Sequence, residues 1–323
     1  MIRSGNITVT QGFSPGNATA DLPALEARWG RAPGVRFEHR FGGTVAVLEA
    51  AGSVAVVALQ GAQVLSWQCA AHSDAVLWLS PDAKLGTGKA VRGGVPVCWP
   101  WFGPHPDEAK KPAHGFVRAA SWRVAGSAAS AGRARLVLSF DTAAIDPALW
   151  PSRAHAEIEI TLTDKLAIAL STSNLAPQPF ALTEALHTYL AVGDIADVSV
   201  TGFEGRTYID QLDSNAQRVQ SGAVQFAGEV DRIYQDAPGD VMVTDHSFGR
   251  EIRVSKLGSQ STVVWNPWTL KAERLGDMGA DGYRRMVCIE AANAGDDVVT
   301  LASGARHRLI TEISVRPIVS KQP

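Results

Sequence analysis

Apolar and polar residues alternate along many short segments of this chain. Valine, isoleucine, threonine and aromatic residues are concentrated in nine segments bounded by turn-forming residues: TVAVLEA, VAVVALQ, AVLWLS, RARLVLSF, HAEIEITLT, LAIALSTSN, STVVWN, RMVCIEAAN and RHRLITEISV. Alternation with a period of two is typical of strands that bury one face. Many short strands at regular spacing favour a β-sandwich or barrel. The pattern therefore predicts an all-β protein without βαβ alternation.

Helical periodicity is weak and is best developed near the N-terminus. Residues 21–29, DLPALEARW, begin with an aspartate suited to an N-cap and have a proline in the first turn. LDSNAQRV and DPALW are expected to form at most single turns. No Ser/Pro/Gly-rich linker or change in composition divides the chain. We therefore expect a single domain over residues 1–323, in which residues 1–30 are an N-terminal extension without a motif.

The composition is that of a soluble globular protein and argues against several classes of partner. Hydrophobic residues make up 46% of the chain and charged residues 19%, and the formal net charge is −2 with both signs mixed. This balance is unlike a nucleic-acid-binding surface or a polybasic membrane anchor. The N-terminal MIRSGNITVTQGF lacks the apolar region of a signal peptide, and no apolar run approaches the ~20 residues of a membrane span. We expect a cytoplasmic monomer with no nucleic-acid or membrane partner.

Cysteine and histidine spacing gives no sign of a structural metal or a disulfide. Cys69, Cys98 and Cys288 are far apart and lack CxxC spacing, so reduced thiols are expected. The eight histidines are scattered without metal-ligand spacing. The segment LGTGKA lacks the first glycine and the Ser/Thr of a phosphate-binding loop. No metal and no cofactor are therefore expected.

A histidine interrupts the strand pattern of FALTEALHTYLAVGDI, residues 180–195. Alternation puts a small and polar set on one face, namely Ala181, Thr183, Ala185, His187 and Tyr189. It puts Phe180, Leu182, Leu186 and Leu190 largely on the other face. A small polar face can line a cavity or meet solvent, so His187 alone does not define a site.

The densest candidate region is AVRGGVPVCWPWFGPHPDEAKKPAHGFVR, residues 90–118. Five prolines, four glycines, two tryptophans and two phenylalanines surround Arg92, His105, His114 and Arg118. An ordered, aromatic-rich loop on a β scaffold is a common place for binding residues. A structural plug over the end of a sandwich would have the same composition.

Further candidates lie in the C-terminal half of the chain. Glu290 interrupts the apolar strand MVCIEAAN, as His187 interrupts its own strand, and charged residues rarely occupy strand interiors unless paired or functional. Asp231 begins DRIY, and Trp265 and Trp268 frame a surface suited to the apolar face of a sugar. A histidine and a carboxylate on separate strands can form an acid/base couple.

Six motifs resemble a known family, in order and over nearly the whole chain. They are VRGGVPVCWPWFGPHP, PAHGFVR, ALHTYLAVGDI, DRIY, VVWNPW and GYRRMVCIEAAN, and they resemble those of the hexose-6-phosphate mutarotases, or glucose-6-phosphate 1-epimerases. These belong to the aldose 1-epimerase-like superfamily. The resemblance implies a large antiparallel β-sandwich (the galactose mutarotase-like supersandwich) with few short helices. It also implies an open sugar-binding cleft on one curved sheet and no cofactor.

The resemblance also assigns roles to individual residues. His187 of ALHTY and Glu290 of VCIEAAN match the family's catalytic histidine and carboxylate. Three further positions match substrate contacts: Arg92 of VRGG, Arg118 of HGFVR and Asp231 of DRIY. Ala113 stands where some members carry a glutamine, and His114 beside it is the candidate to supply the missing polar contact.

These assignments imply interconversion of the α and β anomers of a hexose 6-phosphate. The C1 hydroxyl must lose a proton while the ring oxygen gains one, and we expect Glu290 as the base and His187 as the acid, in the form of a carboxylate and an imidazolium at neutral pH. An aldose 1-epimerase for unphosphorylated sugars would share this pair but would not need two arginines. The same residues are also compatible with a protein that binds a sugar phosphate without turnover, or with a purely structural sandwich.

Overall fold

The computed structural model describes residues 21–30 and 33–318, and in these ranges the regular secondary structure is almost entirely β. Two α-helices are present, α1 (Leu22–Trp29) and α2 (Trp268–Leu275), together with a few short 3₁₀ turns. Neither helix is long and apolar enough to cross a membrane.

Twenty-three strands lie in the described residues. The first nine are β1 (Val35–Arg40), β2 (Gly43–Ala50), β3 (Ser53–Ala58), β4 (Val64–Gln68), β5 (Val97–Cys98), β6 (Arg123–Ser130), β7 (Arg133–Asp141), β8 (Ala154–Leu162) and β9 (Leu166–Asn174). The next seven are β10 (Phe180–Leu182), β11 (Glu184–Leu186), β12 (Tyr189–Ala191), β13 (Val198–Thr201), β14 (Thr207–Asp210), β15 (Ala216–Val219) and β16 (Val224–Gln225). The last seven are β17 (Val230–Tyr234), β18 (Val241–Asp245), β19 (Arg250–Leu257), β20 (Ser261–Asn266), β21 (Met286–Asn293), β22 (Val299–Leu301) and β23 (Arg306–Pro317).

The strands form antiparallel sheets that pack around one main core. A nine-stranded sheet has the order β16-β13-β18-β19-β23-β9-β8-β7-β6. It packs against an eight-stranded sheet, β15-β14-β17-β20-β21-β11-β5 with β12 beside β21, and against a four-stranded sheet, β1-β2-β3-β4. Strands β10 and β22 form a separate pair. The expected antiparallel β-sandwich is confirmed.

Burial patterns explain where these strands lie. In β8 every second residue is buried, from Ala154 to Leu162, while the polar residues between them are partly exposed. This is the pattern of a sheet with one face on the core. In β21 all eight residues are buried, because Val287 and Ile289 face the main core while Cys288 lies in a second hydrophobic cluster. The eight-stranded sheet is therefore covered on both faces at β21, where the candidate site lies.

The structure confirms some local predictions and corrects others. Helix α1 begins after Asp21, whose carboxylate accepts a hydrogen bond from the Ala24 amide, as expected of an N-cap. The expected strand in AVLWLS is wrong, because only isolated bridges form at Leu77 and Leu79, which bond to different neighbouring segments. LDSNAQRV was expected to form at most a turn and instead contributes β15. The N-terminal residues 1–20 lie outside the described residues.

Helix α2 is an element that the sequence pattern did not predict. Its sequence, WTLKAERL, is rich in good helix formers. The Asn266 side chain accepts a hydrogen bond from the Trp268 amide at 2.9 Å, which supports the start of the helix. The helix ends at Gly276, which has the left-handed conformation that commonly ends helices.

Candidate active site

The register of the eight-stranded sheet places His187 beside Glu290. His187 lies between β11 and β12, and both of these short strands pair with β21 in one continuous register. This register makes His187 the residue directly opposite Glu290. Residues opposite one another in an antiparallel pair lie on the same face of the sheet. The two candidate catalytic residues therefore meet on one face of the sheet, although His187 itself lies in the short break between β11 and β12.

The expected strand around His187 is broken at that residue, which corrects the sequence-based picture. The His187 amide donates a hydrogen bond to the Pro96 carbonyl at 3.0 Å, and the Thr188 amide turns back to the Leu186 carbonyl at 2.9 Å. The separation of faces is nevertheless confirmed. Ala185 and Tyr189 belong to the same cluster as Cys288, while Phe180, Leu182, Leu186 and Leu190 belong to the main core.

His187 and Glu290 form a close and nearly dry pair. Nδ1 of His187 lies 3.4 Å from Oε1 of Glu290. The His187 side chain is 11% exposed and the Glu290 side chain 1%. Nδ1 of His187 and Oε2 of Glu290 are both buried without a hydrogen-bond partner. Buried polar atoms are rarely left in this state, so the pair is suited to a ligand that supplies the missing partners.

Burial moves the pKa values of the pair in opposite directions. It lowers the pKa of His187 well below the usual imidazole value, and the nearby His114, Arg118 and Arg92 act in the same direction. Burial raises the pKa of Glu290 well above the usual carboxyl value, and Asp231 adds to the rise while Arg118 opposes it. Both shifts favour neutral imidazole and protonated carboxyl over the expected ion pair. The neutral pair and the ion pair contain the same number of protons, so they differ only in where one proton lies.

Aromatic rings surround the pair. The Tyr189 ring stacks on the His187 ring with centroids 4.7 Å apart and an interplanar angle of 8°. The Trp265 ring meets His187 edge-on at 5.9 Å. Trp268, the other tryptophan expected to frame a sugar surface, contacts Tyr283 and begins helix α2. Trp265 is therefore the tryptophan adjacent to the pair.

His114 is held rigidly next to His187 by its own backbone. Its ring centroid lies 5.9 Å from that of His187. The His114 amide donates to the Gly103 carbonyl at 2.7 Å, and the Gly103 amide donates to Nδ1 of His114 at 3.2 Å. Burial, with Arg118 and Arg92 nearby, lowers the pKa of His114 to about 3. A neutral ring whose Nδ1 accepts a hydrogen bond carries its proton on Nε2, so His114 can donate to a ligand.

The backbone at His114 requires the glycine that follows it. His114 has φ of 63° and Gly115 has φ of 72°, both in the left-handed region. A Cβ atom at Gly115 would lie 1.7 Å from the Trp99 carbonyl oxygen. No side chain fits there, which explains why glycine follows histidine in HGFVR. A non-glycine residue in this region is uncommon and is often found at functional sites.

Arg92 and Arg118 both lie close enough to lower the pKa values of His187 and His114. Nε of Arg92 lies 2.5 Å from Oδ1 of Asp277, and a terminal nitrogen of Arg92 donates to the Tyr189 hydroxyl at 3.3 Å. Arg118 donates to the Ala113 carbonyl at 2.6 Å.

A cavity of about 290 Å³ lies beside Arg92. Its polar lining includes Ser80, Asp82, Lys84, Thr87, Lys89 and Asp277. Arg92 links this cavity to the pair, because it contacts Tyr189, which stacks on His187.

Asp231 is held by two neighbouring side chains. Gln211 donates to Oδ1 of Asp231 at 2.6 Å, and Nζ of Lys271, on helix α2, donates to Oδ2 at 3.1 Å. Asp231 is directly opposite Trp265 in the pairing of β17 with β20. Burial raises the pKa of Asp231, although Lys271 and Gln211 oppose the rise. These contacts fix the orientation of the carboxylate next to the ring of Trp265.

The loop of residues 90–118 serves both of the purposes proposed for it. Trp99, Trp101 and Phe116 are buried in the main core and form an aromatic plug. His105 packs edge-on against Trp101, with ring centroids 4.7 Å apart, and takes no part in the site. The remaining candidates from this loop, Arg92, His114 and Arg118, lie near the pair.

Four residues of the site received no role from the sequence. They are Tyr189, Asp277, Lys271 and Cys288. Tyr189 lies two residues after His187 on the same predicted face, so the alternation already contained that signal. Lys271 and Asp277 come close to the site through helix α2 and the segment that follows it, and this element was not predicted. Cys288 lies two residues before Glu290, and the ligand atoms of His187, Cys288 and Glu290 are within 4.8 Å of one another.

The fold and the site together define a class of protein: an antiparallel β-sandwich with a buried histidine–carboxylate pair on one sheet, flanked by two arginines and aromatic rings. The family model for aldose 1-epimerase matches residues 44–314. The chain belongs to the aldose 1-epimerase family.

Individual relatives agree with this assignment. A protein of Escherichia coli named as a candidate glucose-6-phosphate 1-epimerase is 36% identical over 240 residues, which cover 74% of this chain and 79% of the relative. A protein of Cenchrus ciliaris with the same name is 32% identical, covering 81% of this chain and 82% of the relative. The crystal structure of a candidate mutarotase from Salmonella typhimurium superimposes with a TM-score of 0.82 at 30% identity, covering 89% of this chain and 95% of that one.

Proposed function

We propose that this protein is an isomerase that interconverts the α and β anomers of a hexose 6-phosphate. The substrate we propose within this class is D-glucose 6-phosphate. The observation that carries the proposal is the 3.4 Å approach of His187 to Glu290 on a sheet face that also adjoins Arg92 and Arg118. The names of the relatives in Escherichia coli and Cenchrus ciliaris support the same substrate class.

The reaction requires one group that accepts a proton and one that donates a proton. Ring opening removes the proton of the C1 hydroxyl and delivers a proton to the ring oxygen, which breaks the C1–O5 bond and leaves an aldehyde. Rotation about C1–C2 presents the other face of the carbonyl, and reclosure reverses both proton transfers. In our proposal Glu290 serves the C1 hydroxyl and His187 serves the ring oxygen, and they exchange roles on reclosure.

Burial of the pair supplies the proton that this reaction needs at neutral pH. With ordinary pKa values of about 4.3 and 6.5, a glutamate and a histidine would share no proton above about pH 6.5. The raised pKa of Glu290 keeps one proton on the pair at higher pH. Transfer of that proton across the 3.4 Å gap from Glu290 to Nδ1 of His187 produces the carboxylate and the imidazolium without any exchange with solvent.

The remaining residues are proposed to bind the substrate. Arg92 and Arg118 bind the 6-phosphate, because a guanidinium keeps its charge and offers paired donors to phosphate oxygens. Asp231 accepts hydrogen bonds from sugar hydroxyls, and His114 donates one from Nε2. Trp265 packs against the apolar face of the sugar ring. We further propose that the protein acts as a monomer of one domain in the cytoplasm. Only the cytoplasmic location draws support from the cysteines, since Cys69, Cys98 and Cys288 are free and buried, as in reducing compartments.

Two-dimensional exchange NMR on the anomeric protons tests the proposal directly. Wild-type protein should accelerate exchange between the α and β signals of glucose 6-phosphate above the buffer rate. A parallel measurement with glucose separates a hexose-phosphate mutarotase from an epimerase of unphosphorylated sugars. Binding of glucose 6-phosphate with no acceleration of exchange would instead identify a sugar-phosphate-binding protein. Size-exclusion chromatography with light scattering tests whether the protein is a monomer in solution.

A further inference from the structure

The buried pair has a third neighbour that the proposed reaction does not use. Cys288 lies on β21 two residues before Glu290, so both side chains lie on the same face of the strand. The thiol is free and fully buried. The ligand atoms of His187, Cys288 and Glu290 all lie within 4.8 Å of one another. Imidazole, thiolate and carboxylate are the three ligand types of protein zinc sites.

The spacing of these atoms matches the coordination geometry of zinc. Two ligands bound at about 2.1 Å to a tetrahedral ion are separated by about 3.4 Å. Nδ1 of His187 and Oε1 of Glu290 are already 3.4 Å apart. Nδ1 of His187 and Oε2 of Glu290 are also buried without hydrogen-bond partners, so lone pairs are available on both residues. All three ligand atoms lie within 4.8 Å of one another, so the sulfur needs to move closer by at most about 1.2 Å to complete a set of three ligands.

We propose that His187, Cys288 and Glu290 form an inhibitory site for a borderline transition-metal cation such as Zn²⁺. The ion takes three ligands from the protein and keeps its fourth position for water. Burial raises the pKa of the Cys288 thiol, so binding displaces the thiol proton and the proton shared by His187 and Glu290 to solvent. It occupies the lone pairs of the two residues that transfer protons, so it blocks turnover and competes with the sugar phosphate. The metal site stands on the geometry alone, whereas the inhibition rests on the proposed function.

Metal binding is measured first, independently of activity. Full-length protein, kept reduced with a phosphine that does not chelate metals, is titrated with Co²⁺ and with Zn²⁺. We expect one ion per chain at this site and a sulfur-to-cobalt charge-transfer band. Cys288→Ala should abolish the band and weaken Zn²⁺ binding by at least about a hundredfold, since even groups outside the first coordination shell are worth about 10–100-fold.

Cys98→Ala is the matched control. Cys98 is also fully buried and belongs to the same hydrophobic cluster as Cys288, but it is not one of the three ligands. Its variant should keep the cobalt band and the zinc affinity of wild type. If Cys288→Ala does not fold, as judged by circular dichroism, Cys288→Ser takes its place and should likewise lose the sulfur band. A cobalt band that is absent in wild type, or that persists in the Cys288 variants, would overturn the site.

Inhibition is measured separately by anomer exchange. Zn²⁺ should slow exchange of glucose 6-phosphate by wild type, excess substrate should relieve the inhibition, and EDTA should restore the rate. The Cys288 variant should need at least about a hundredfold more Zn²⁺ for the same inhibition. Zn²⁺ that binds to His187, Cys288 and Glu290 without slowing exchange would refute the inhibition. A wild-type protein that binds cobalt through sulfur but shows no anomer exchange would refute the proposed function and leave the metal site standing.

Discussion

Removal of either member of the buried pair should nearly abolish anomer exchange. Glu290→Gln keeps the size of the side chain but removes the carboxyl group that gains and loses a proton, and His187→Ala removes the other proton carrier. The pair is almost inaccessible to water, with Glu290 1% exposed, so solvent cannot readily replace the missing group. We expect kcat to fall by a factor of about 10²–10⁴ for each variant. This corresponds to about 3–5 kcal/mol of transition-state stabilisation.

The losses from the two substitutions should not add. His187 and Glu290 share one proton across 3.4 Å, so either variant alone removes the function of the unit. The double variant should therefore be within about tenfold of the slower single variant. The rates are measured by exchange NMR with glucose 6-phosphate, and folding is checked by circular dichroism and thermal unfolding.

Glu184→Gln is the matched control for Glu290→Gln. Glu184 is also a fully buried glutamate of the same sheet, three residues before His187, but it contacts His307 and Thr172 instead of the pair. Its variant should keep kcat within about threefold of wild type, because Glu184 transfers no proton in the reaction. Near-normal turnover by folded Glu290→Gln would refute the assignment of Glu290, and fully multiplicative losses would show that the two residues do not act as a unit.

Four further outcomes are expected. Arg92→Ala and Arg118→Ala should each lower kcat/KM for glucose 6-phosphate by about 10–100-fold and lower that for glucose much less. Equal losses on both sugars would show that these arginines do not bind the phosphate. Exhaustive EDTA treatment of protein purified without added zinc should leave the exchange rate unchanged, and loss of activity reversed by a divalent ion would contradict the acid/base mechanism. Because the pKa of Glu290 is raised, kcat should hold its plateau as pH rises through about 6.5 and fall only at higher pH; a decline centred near 6.5 would count against the shared proton. Arg250→Ala should cost about 3–5 kcal/mol in urea unfolding, because it removes three hydrogen bonds from the buried guanidinium to backbone carbonyls and leaves the buried Asp245 without a counter-charge. Arg253→Ala, on the same strand but exposed, should cost less than about 1 kcal/mol.

The sequence predicted the parts of the fold that depend on local alternation. Strand β8 was clear because its buried and partly exposed residues alternate along its whole length. AVLWLS was also expected to be a strand but forms none, because its backbone hydrogen bonds are divided among β4, β12 and the segment at residues 92–94. The sequence alone does not show to which segments these backbone groups bond. Helix α2 was missed although its residues favour helix, because a helix of eight residues depends on tertiary packing more than on its own sequence.

The composition of the candidate site was predicted better than its internal contacts. Motif resemblance identified His187, Glu290, Arg92 and Arg118, and the structure brings all four to one region. It did not indicate that Asp277 binds Arg92, because Asp277 lies in an irregular segment without a motif. The resemblance also gave no way to divide the aromatic loop into a buried plug and a set of polar site residues. That division depends on the packing of the loop against the main core.

The proton chemistry of the site depends on the register of β21. Glu290 lies between Ile289 and Ala291, both of which face the main core. A shift of one residue would exchange the two faces of the strand, bury the carboxylate in the core and place an aliphatic side chain opposite His187. The core therefore enforces the register, because Ile289 must be buried, and the register in turn fixes the histidine–carboxylate pair. The same packing excludes water from Glu290 and so raises the pKa of its carboxyl group. The hydrophobic pattern of MVCIEAAN therefore both positions the pair and favours the protonated form of the carboxyl.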